Sequence, residues 1–260
     1  MKTKLLLTFT AFLFLTAPGI CWEKNVLVSP LRILIDSKQR TDSVQIVNTS
    51  ESETTYRISL VSMNADIYGS QKENTSPAGN EAKALEILKF SPKRTTLYPG
   101  RTQTIRLFAK RPFDLEAGEY RTHLKITPLP PPPEKKPGTE DKGLSIKLNF
   151  LVSTTIPVII RHGDTYSSVN IEKAEIKGNV LYLSLSRAGN ASALFNIEVY
   201  NSQKLSGERN RNAFYTPNSE MITQVNLDKI PQKGDRLDIF IKNAENGNNF
   251  TYDVSSLSVK

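Results

Sequence analysis

The chain is 260 residues long and carries 34 Lys and Arg against 26 Asp and Glu, a formal charge of +8 at neutral pH. Its basic residues are scattered among acidic ones with no Lys/Arg run, so the charge reads as a solvated surface rather than a nucleic-acid interface. One cysteine excludes an intramolecular disulfide, and two histidines, His123 and His162, fall in no metal-ligand spacing.

The chain opens with Lys2 and Lys4, an apolar run from Leu5 to Leu15, then Pro18-Gly19 and Cys21. That layout predicts a secretory leader over residues 1–22, too short for a membrane span. Removal at or just after Cys21 leaves a mature chain of about 240 residues, enough for two cores and held together by packing alone. The expected route is export, and no later segment is long enough to span a membrane.

From residue 23 onward apolar residues recur at every second position in short segments, the period of a half-buried strand. Val44 and Ile46, then Tyr56, Ile58 and Leu60, then Ile105 and Leu107 carry it, and turns at Asn48-Thr-Ser, Tyr98-Pro-Gly and Glu116-Ala-Gly punctuate it. This pattern predicts an immunoglobulin-like β-sandwich over 23–161. Thr127 to Gly143, rich in proline and charge, predicts an exposed loop.

After that loop, Leu144, Ile146, Leu148, Phe150 and Val152 fall on one face of a long strand, with Ser145, Lys147, Asn149 and Ser153 on the other. Pro157 is expected to kink or end this strand, at an edge or at the passage between domains, because it has no N–H to donate. Period-two runs at Val180, Tyr182 and Leu183, at Phe195, Ile197 and Val199, at Leu237, Ile239 and Ile241, and at Phe250, Tyr252 and Val254 predict a second, smaller β-sandwich over 162–260. No segment shows a helical stripe over three turns. The fold class expected is therefore all-β, two immunoglobulin-like sandwiches with a cleft between them.

Four blocks in this order resemble the periplasmic pilus chaperones of the chaperone-usher pathway: Ser29-Pro-Leu-Arg-Ile-Leu-Ile35, Tyr98-Pro-Gly-Arg-Thr-Gln-Thr-Ile-Arg-Leu107, Gly118-Glu-Tyr-Arg-Thr-His-Leu-Lys-Ile126 and Ile156-Pro-Val-Ile-Ile-Arg161. The likeness covers the first domain well, is closer to a divergent, archaic or alternative branch, and reaches the second domain only in general character. The resemblance implies a periplasmic protein that lends an edge strand to an incomplete pilus subunit and passes that subunit to an outer-membrane usher. The lent side chains would come from Leu144, Ile146, Leu148, Phe150 and Val152. Arg32 matches the family's anchor for the subunit's terminal carboxylate, whereas the position of its usual Lys partner holds Pro157, with Arg106 as a substitute to be considered.

Glu119, Arg161 and Glu245 match, the last loosely, an ionic cluster that sets the angle between the sandwiches. The partners implied are pilus subunits and an usher, with self-association through the exposed edge when unloaded. No cofactor, metal, nucleic-acid partner or membrane span is expected. The residues also carry no enzyme signature: there is no Gly-Xaa-Ser-Xaa-Gly elbow and no phosphate-cradling loop. His123 is expected to be a packing or surface residue of a strand, and the Asn-Xaa-Ser/Thr triplets at Asn48, Asn74, Asn190 and Asn249 read as turn chemistry. The competing reading is an exported immunoglobulin-like adhesion or structural protein, in which the strand from Leu144 pairs only internally.

Overall fold

The computed structural model describes residues 26–130, 151–245, 249–251 and 254–259. The expected leader, the proline-rich run from residue 131 and the proposed lent residues Leu144, Ile146, Leu148 and Phe150 lie outside the described residues.

The first ten strands are β1 (Val26–Ser29), β2 (Ile33–Ile35), β3 (Thr41–Asn48), β4 (Thr54–Ala65), β5 (Gln71–Asn74), β6 (Leu88–Ser91), β7 (Arg94–Leu97), β8 (Thr102–Ala109), β9 (Gly118–Pro128) and β10 (Thr154–His162). They build two facing sheets, one in the order β1-β3-β8-β6 and the other β2-β10-β9-β4-β5, with β7 paired to β4. Between β1 and β2 the segment Pro30–Arg32 hands the chain from one sheet to the other. Proline removes a ladder donor at that crossing, and Ile33 and Ile35 then point into the same core as Val26 and Val28.

That core is filled by the period-two residues of both sheets, among them Val44, Ile46, Tyr56, Ile58, Ile105, Leu107, Leu124, Ile156 and Ile160. Alternation of this kind pays back the ordering of a strand by burying one face of it, about 1.5–3 kcal/mol for each large aliphatic side chain.

One helix, α1 (Gly79–Ile87), packs against β9 with Ala84 and Ile87 buried. It fell below the sequence threshold because it is shorter than three turns and buries only two residues. β9 also runs further than expected, through Thr127 to Pro128, which sits opposite Tyr56. Nor does Pro157 end a strand: β10 passes through it, with Pro157 opposite His123. β2 pairs with Val158–Ile160, so among the described residues the only strand beside Pro157 is β9, and a proline is tolerated where a strand has one neighbour.

After Gly163-Asp-Thr165 the chain enters β11 (Tyr166–Lys177), β12 (Val180–Gly189), β13 (Ala193–Asn201), β14 (Lys204–Phe214), β15 (Glu220–Asn226), β16 (Arg236–Asn243), β17 (Asn249–Thr251) and β18 (Val254–Ser258). Two more sheets result, β15-β12-β11-β17 and β14-β13-β16-β18. They enclose a separate core including Leu181, Leu183, Leu185, Phe195, Ile197, Val199, Leu237, Ile239 and Ile241. On β12 the buried face is Leu181, Leu183 and Leu185, so Val180 and Tyr182 sit on the other, half-buried face.

The two sandwiches meet along β9 and β10 and at the β4–β5 turn, where the Ile67 carbonyl accepts the Ile222 N–H at 2.6 Å and the Ala65 carbonyl accepts Asn218 Nδ2 at 2.8 Å.

Candidate functional site

β9 is buried on both faces. Tyr120, Leu124 and Ile126 enter the first core, while Glu119, Arg121 and His123 point the other way and are still only 1–2 % exposed. A polar outer face becomes buried here because the second sandwich and helix α1 cover it. Charges removed from water must be paired, and the pairing is set by register: Glu119 lies directly across from Arg161 on β10.

Arg161 Nε and Nη2 each donate to Glu119 Oε2 at 3.3 Å, and the same oxygen accepts the Ser192 N–H at 2.9 Å and its hydroxyl at 2.8 Å. Arg161 Nη2 also donates to Glu245 Oε2 at 2.7 Å. The other oxygen of Glu245 accepts Arg32 Nε at 3.1 Å, with Arg32 Nη2 at 3.0 Å. Glu119, Arg161, Glu245 and Arg32 therefore form one alternating chain of charges. Glu245 and Ser192 come from the second sandwich, and the other three from the first.

Tyr215 caps this chain from the second sandwich. Its hydroxyl accepts Arg32 Nη1 at 3.3 Å, and its ring lies 5.6 Å from the Arg32 guanidinium carbon and 4.4 Å from that of Arg121. Arg121 Nη2 donates to Glu81 on α1 at 2.7 Å, to the Met63 carbonyl at 3.0 Å and to the Thr216 carbonyl at 3.3 Å. Neither ring nitrogen of His123 has a hydrogen-bond partner. Burial, and then the positive charges of Arg121 and Arg32, push its pKa down to about 3, so the imidazole is neutral.

Beside Glu245 a pocket of about 280 Å³ opens between the sandwiches, lined by Arg32, Leu34, Leu194, Arg211, Ala244 and Glu245. Pro157 brings no cation to this face. Arg106 is not a substitute: it lies on β8, in the other sheet of the first sandwich, on the exposed face of a strand whose Ile105 and Leu107 fill the core. Val152 is 54 % exposed in the segment entering β10. Among the described residues no group of three or more His, Cys, Asp or Glu side chains could hold a metal ion.

Glu81, Ser192, Arg211 and Tyr215 also belong to this site, and sequence reasoning did not single them out. Glu119, Arg121 and His123 alternate with Tyr120, Thr122 and Leu124, so a polar face was visible; that another sandwich would bury it was not. The bulge that displays Arg211 has no local signature, since neither Gly nor Pro marks it.

No family model matches the sequence, and no curated protein matches it. In structure the chain is similar to a chain of the chaperone–tip adhesin complex of CFA/I fimbriae, with 14 % identity, a TM-score of 0.50 and coverage of 89 % of this chain and 98 % of that one. It is also similar to the YadV chaperone (12 % identity, TM-score 0.48, 90 % and 100 % covered) and to the E. coli chaperone DraB (12 %, 0.47, 90 % and 96 %). At the level of fold, this chain is a two-sandwich protein of the kind seen in the chaperones of fimbrial assembly.

Proposed function

We propose that this protein is a periplasmic chaperone of the chaperone-usher type, which caps an incomplete immunoglobulin-like pilus subunit and delivers it to an outer-membrane usher. The observation that carries the reading is the edge of β10. Over Thr154–Pro157 that strand has β9 on one side and no described strand on the other, and it is entered through exposed Leu151 and Val152 at the end of an apolar-alternating run. An unpaired apolar edge is a liability that a purely structural protein blunts; a strand lent to another chain requires one.

In this reading Leu144, Ile146, Leu148, Phe150 and Val152 enter the subunit's groove. Three or four such side chains contribute about 1.5–3 kcal/mol each before ordering costs, enough for a stable but replaceable complex. Arg32 fixes strand register by holding the subunit's terminal carboxylate, and Glu119, Arg161 and Glu245 hold the angle between the sandwiches. Their role is geometric, since buried ion pairs are poor sources of net stability. No cofactor enters this mechanism, because the subunit's own folding can drive release.

The test is co-expression of the full chain, leader included, with small secreted proteins encoded beside it, followed by purification from the periplasm. A β-rich partner retained by wild type and lost in Leu148→Asp and Phe150→Asp is the expected result. A partner indifferent to both changes, or none, would leave the adhesion or structural reading in its place.

A further inference from the structure

The pocket beside Glu245 has the lining of a chain-end receptor, two arginines with apolar Leu34, Leu194 and Ala244, but its Arg32 is already engaged. We infer that the second cation of this pocket is Arg211, from the second sandwich, and that Glu245 is an internal carboxylate that a ligand's carboxylate must replace on Arg32. This rests on the strand-lending reading above and specifies how its anchor works.

Three observations point to Arg211. It lies in an irregularity of β14, where Ile197 pairs with Arg209 but Phe195 pairs with Asn212, so Asn210 and Arg211 oppose Asn196 alone. A bulge of this kind re-aims a side chain. Its φ is +55°, a left-handed conformation uncommon for a residue with a side chain, and the Asn196 side-chain oxygen holds it there by accepting the Arg211 N–H at 2.8 Å. Strain of this sort costs about 1–3 kcal/mol and concentrates where a side chain is displayed for a purpose. Finally, the exposed Arg211 guanidinium makes no ion pair among the described residues, whereas Arg32, Arg121 and Arg161 each have a carboxylate. Arg211 is also the other cation lining the pocket, facing Arg32 from the second sandwich.

Glu245 is built to yield. Its two oxygens serve different partners, Oε1 for Arg32 and Oε2 for Arg161. Releasing Arg32 therefore leaves Glu245 paired with Arg161, and the incoming carboxylate takes Arg32 and Arg211 with no charge left unpaired. A guanidinium fork accommodates this exchange because carboxylates bind it in one plane. The free protein thus keeps its anchor neutralised, and an extended peptide is recognised by an apolar last side chain followed by a free carboxylate.

The experiment compares two probes on the full mature chain: an acetylated heptapeptide of alternating apolar and polar residues with a free carboxyl terminus, and the same peptide amidated. Dissociation constants are measured by titration calorimetry for wild type, Arg211→Gln, Glu245→Gln and Arg32→Gln. Wild type is expected to prefer the acid, on the order of tenfold, as befits one charge-assisted contact. Arg211→Gln should bring the acid down to the amide, and Glu245→Gln should tighten the acid several-fold while leaving the amide unchanged. Because the acid-to-amide ratio is internal to each variant, a general loosening of the fold raises both dissociation constants and does not imitate the result. An Arg211→Gln ratio equal to wild type, or a Glu245→Gln variant that favours the acid no more than wild type, overturns the inference while an acid preference abolished by Arg32→Gln keeps the anchor reading. Absence of binding for both peptides in wild type overturns both.

Discussion

Replacing Arg161 by Met keeps an unbranched apolar stem and removes the charge that lies between two carboxylates. Arg161 is 1 % exposed and Glu119 is as deeply buried, so the substitution strands charge in the interface between the sandwiches. Breaking a buried pair by removing one partner costs about 3–5 kcal/mol. The structure places the expected value near the lower end. Glu119 keeps two donors from Ser192, and Glu245 keeps Arg32, so a loss of about 3 kcal/mol is predicted.

A second change decides whether charge burial is the cause. Glu119→Gln in the Arg161→Met background removes the stranded carboxylate but leaves an amide oxygen to accept the Ser192 bonds, and should recover about half of the loss. Urea unfolding followed by circular dichroism on the single and double variants closes the cycle, with an expected coupling of at least about 1.5 kcal/mol, larger by whatever Glu119→Gln costs alone. An Arg161→Met variant within about 1 kcal/mol of wild type, or a double variant that loses the sum of the singles, would refute the claim that these charges are stabilised by each other.

His123 is neutral in the folded chain and titrates near its ordinary value of 6.5 when unfolded, with the folded value at about 3. Between those values only the unfolded chain gains the proton, so this contribution is complete above pH 6.5 and is lost as pH falls toward 3. By pH 5 the loss is about 2 kcal/mol; His123→Leu should be at least as stable as wild type at pH 7 and should abolish that part of the pH slope in urea titrations. Asn48 is fully buried, donates to the Ser52 and Leu97 carbonyls and accepts from the Ser50 N–H, the Ser50 hydroxyl and the Tyr56 hydroxyl. Asn48→Ala should cost about 2–4 kcal/mol, measured as a lowered urea midpoint. At Gly189, with φ +105°, an added Cβ would fall 2.3 Å from the Tyr166 carbonyl oxygen, so Gly189→Ala should lower the thermal midpoint by several degrees, on the order of 2–3 kcal/mol of stability.

Much of the fold was legible because burial of a sandwich strand writes itself as period two. Phe195, Ile197 and Val199 could be read directly, and so could the turn at Asn48, whose burial leaves its Asn-Xaa-Ser triplet to turn chemistry. β12 misled by one residue: Val180-Leu-Tyr-Leu-Ser-Leu offers apolar character on both faces, and only the opposing sheet decides that Leu181, Leu183 and Leu185 go inward. Helix α1 was not legible, because its amphipathic face is two residues wide and the rest of its anchoring is long-range polar contact: Glu81 with Arg121, 40 positions away, and with Ser62, and Asn80 with the Glu119 carbonyl. Pro157 is expected to kink or end its strand, at an edge or at the passage between domains; β10 instead continues through it, with β9 as its neighbour there among the described residues.

The site illustrates a sharper limit. Alternation places Glu119, Arg121 and His123 on one face, and with only one sandwich in view that face reads as solvated. Its meaning changes once the second sandwich and helix α1 cover it: Glu119 is satisfied by Arg161 and by Ser192, 73 positions away, Arg121 by Glu81, 40 positions away, and by the Tyr215 ring, while His123 is held neutral. Arg32 shows the consequence. As a lone arginine on an early strand it reads as an anchor waiting for an anion, whereas in the folded chain it is paired with Glu245, stacked near Tyr215 and only 9 % exposed in its side chain. If Arg32 serves as the proposed anchor, its enclosure requires it to act by exchange, one carboxylate for another. On that proposal the ion pairs between the sandwiches and the affinity of the pocket would be opposing demands on the same two oxygens of Glu245.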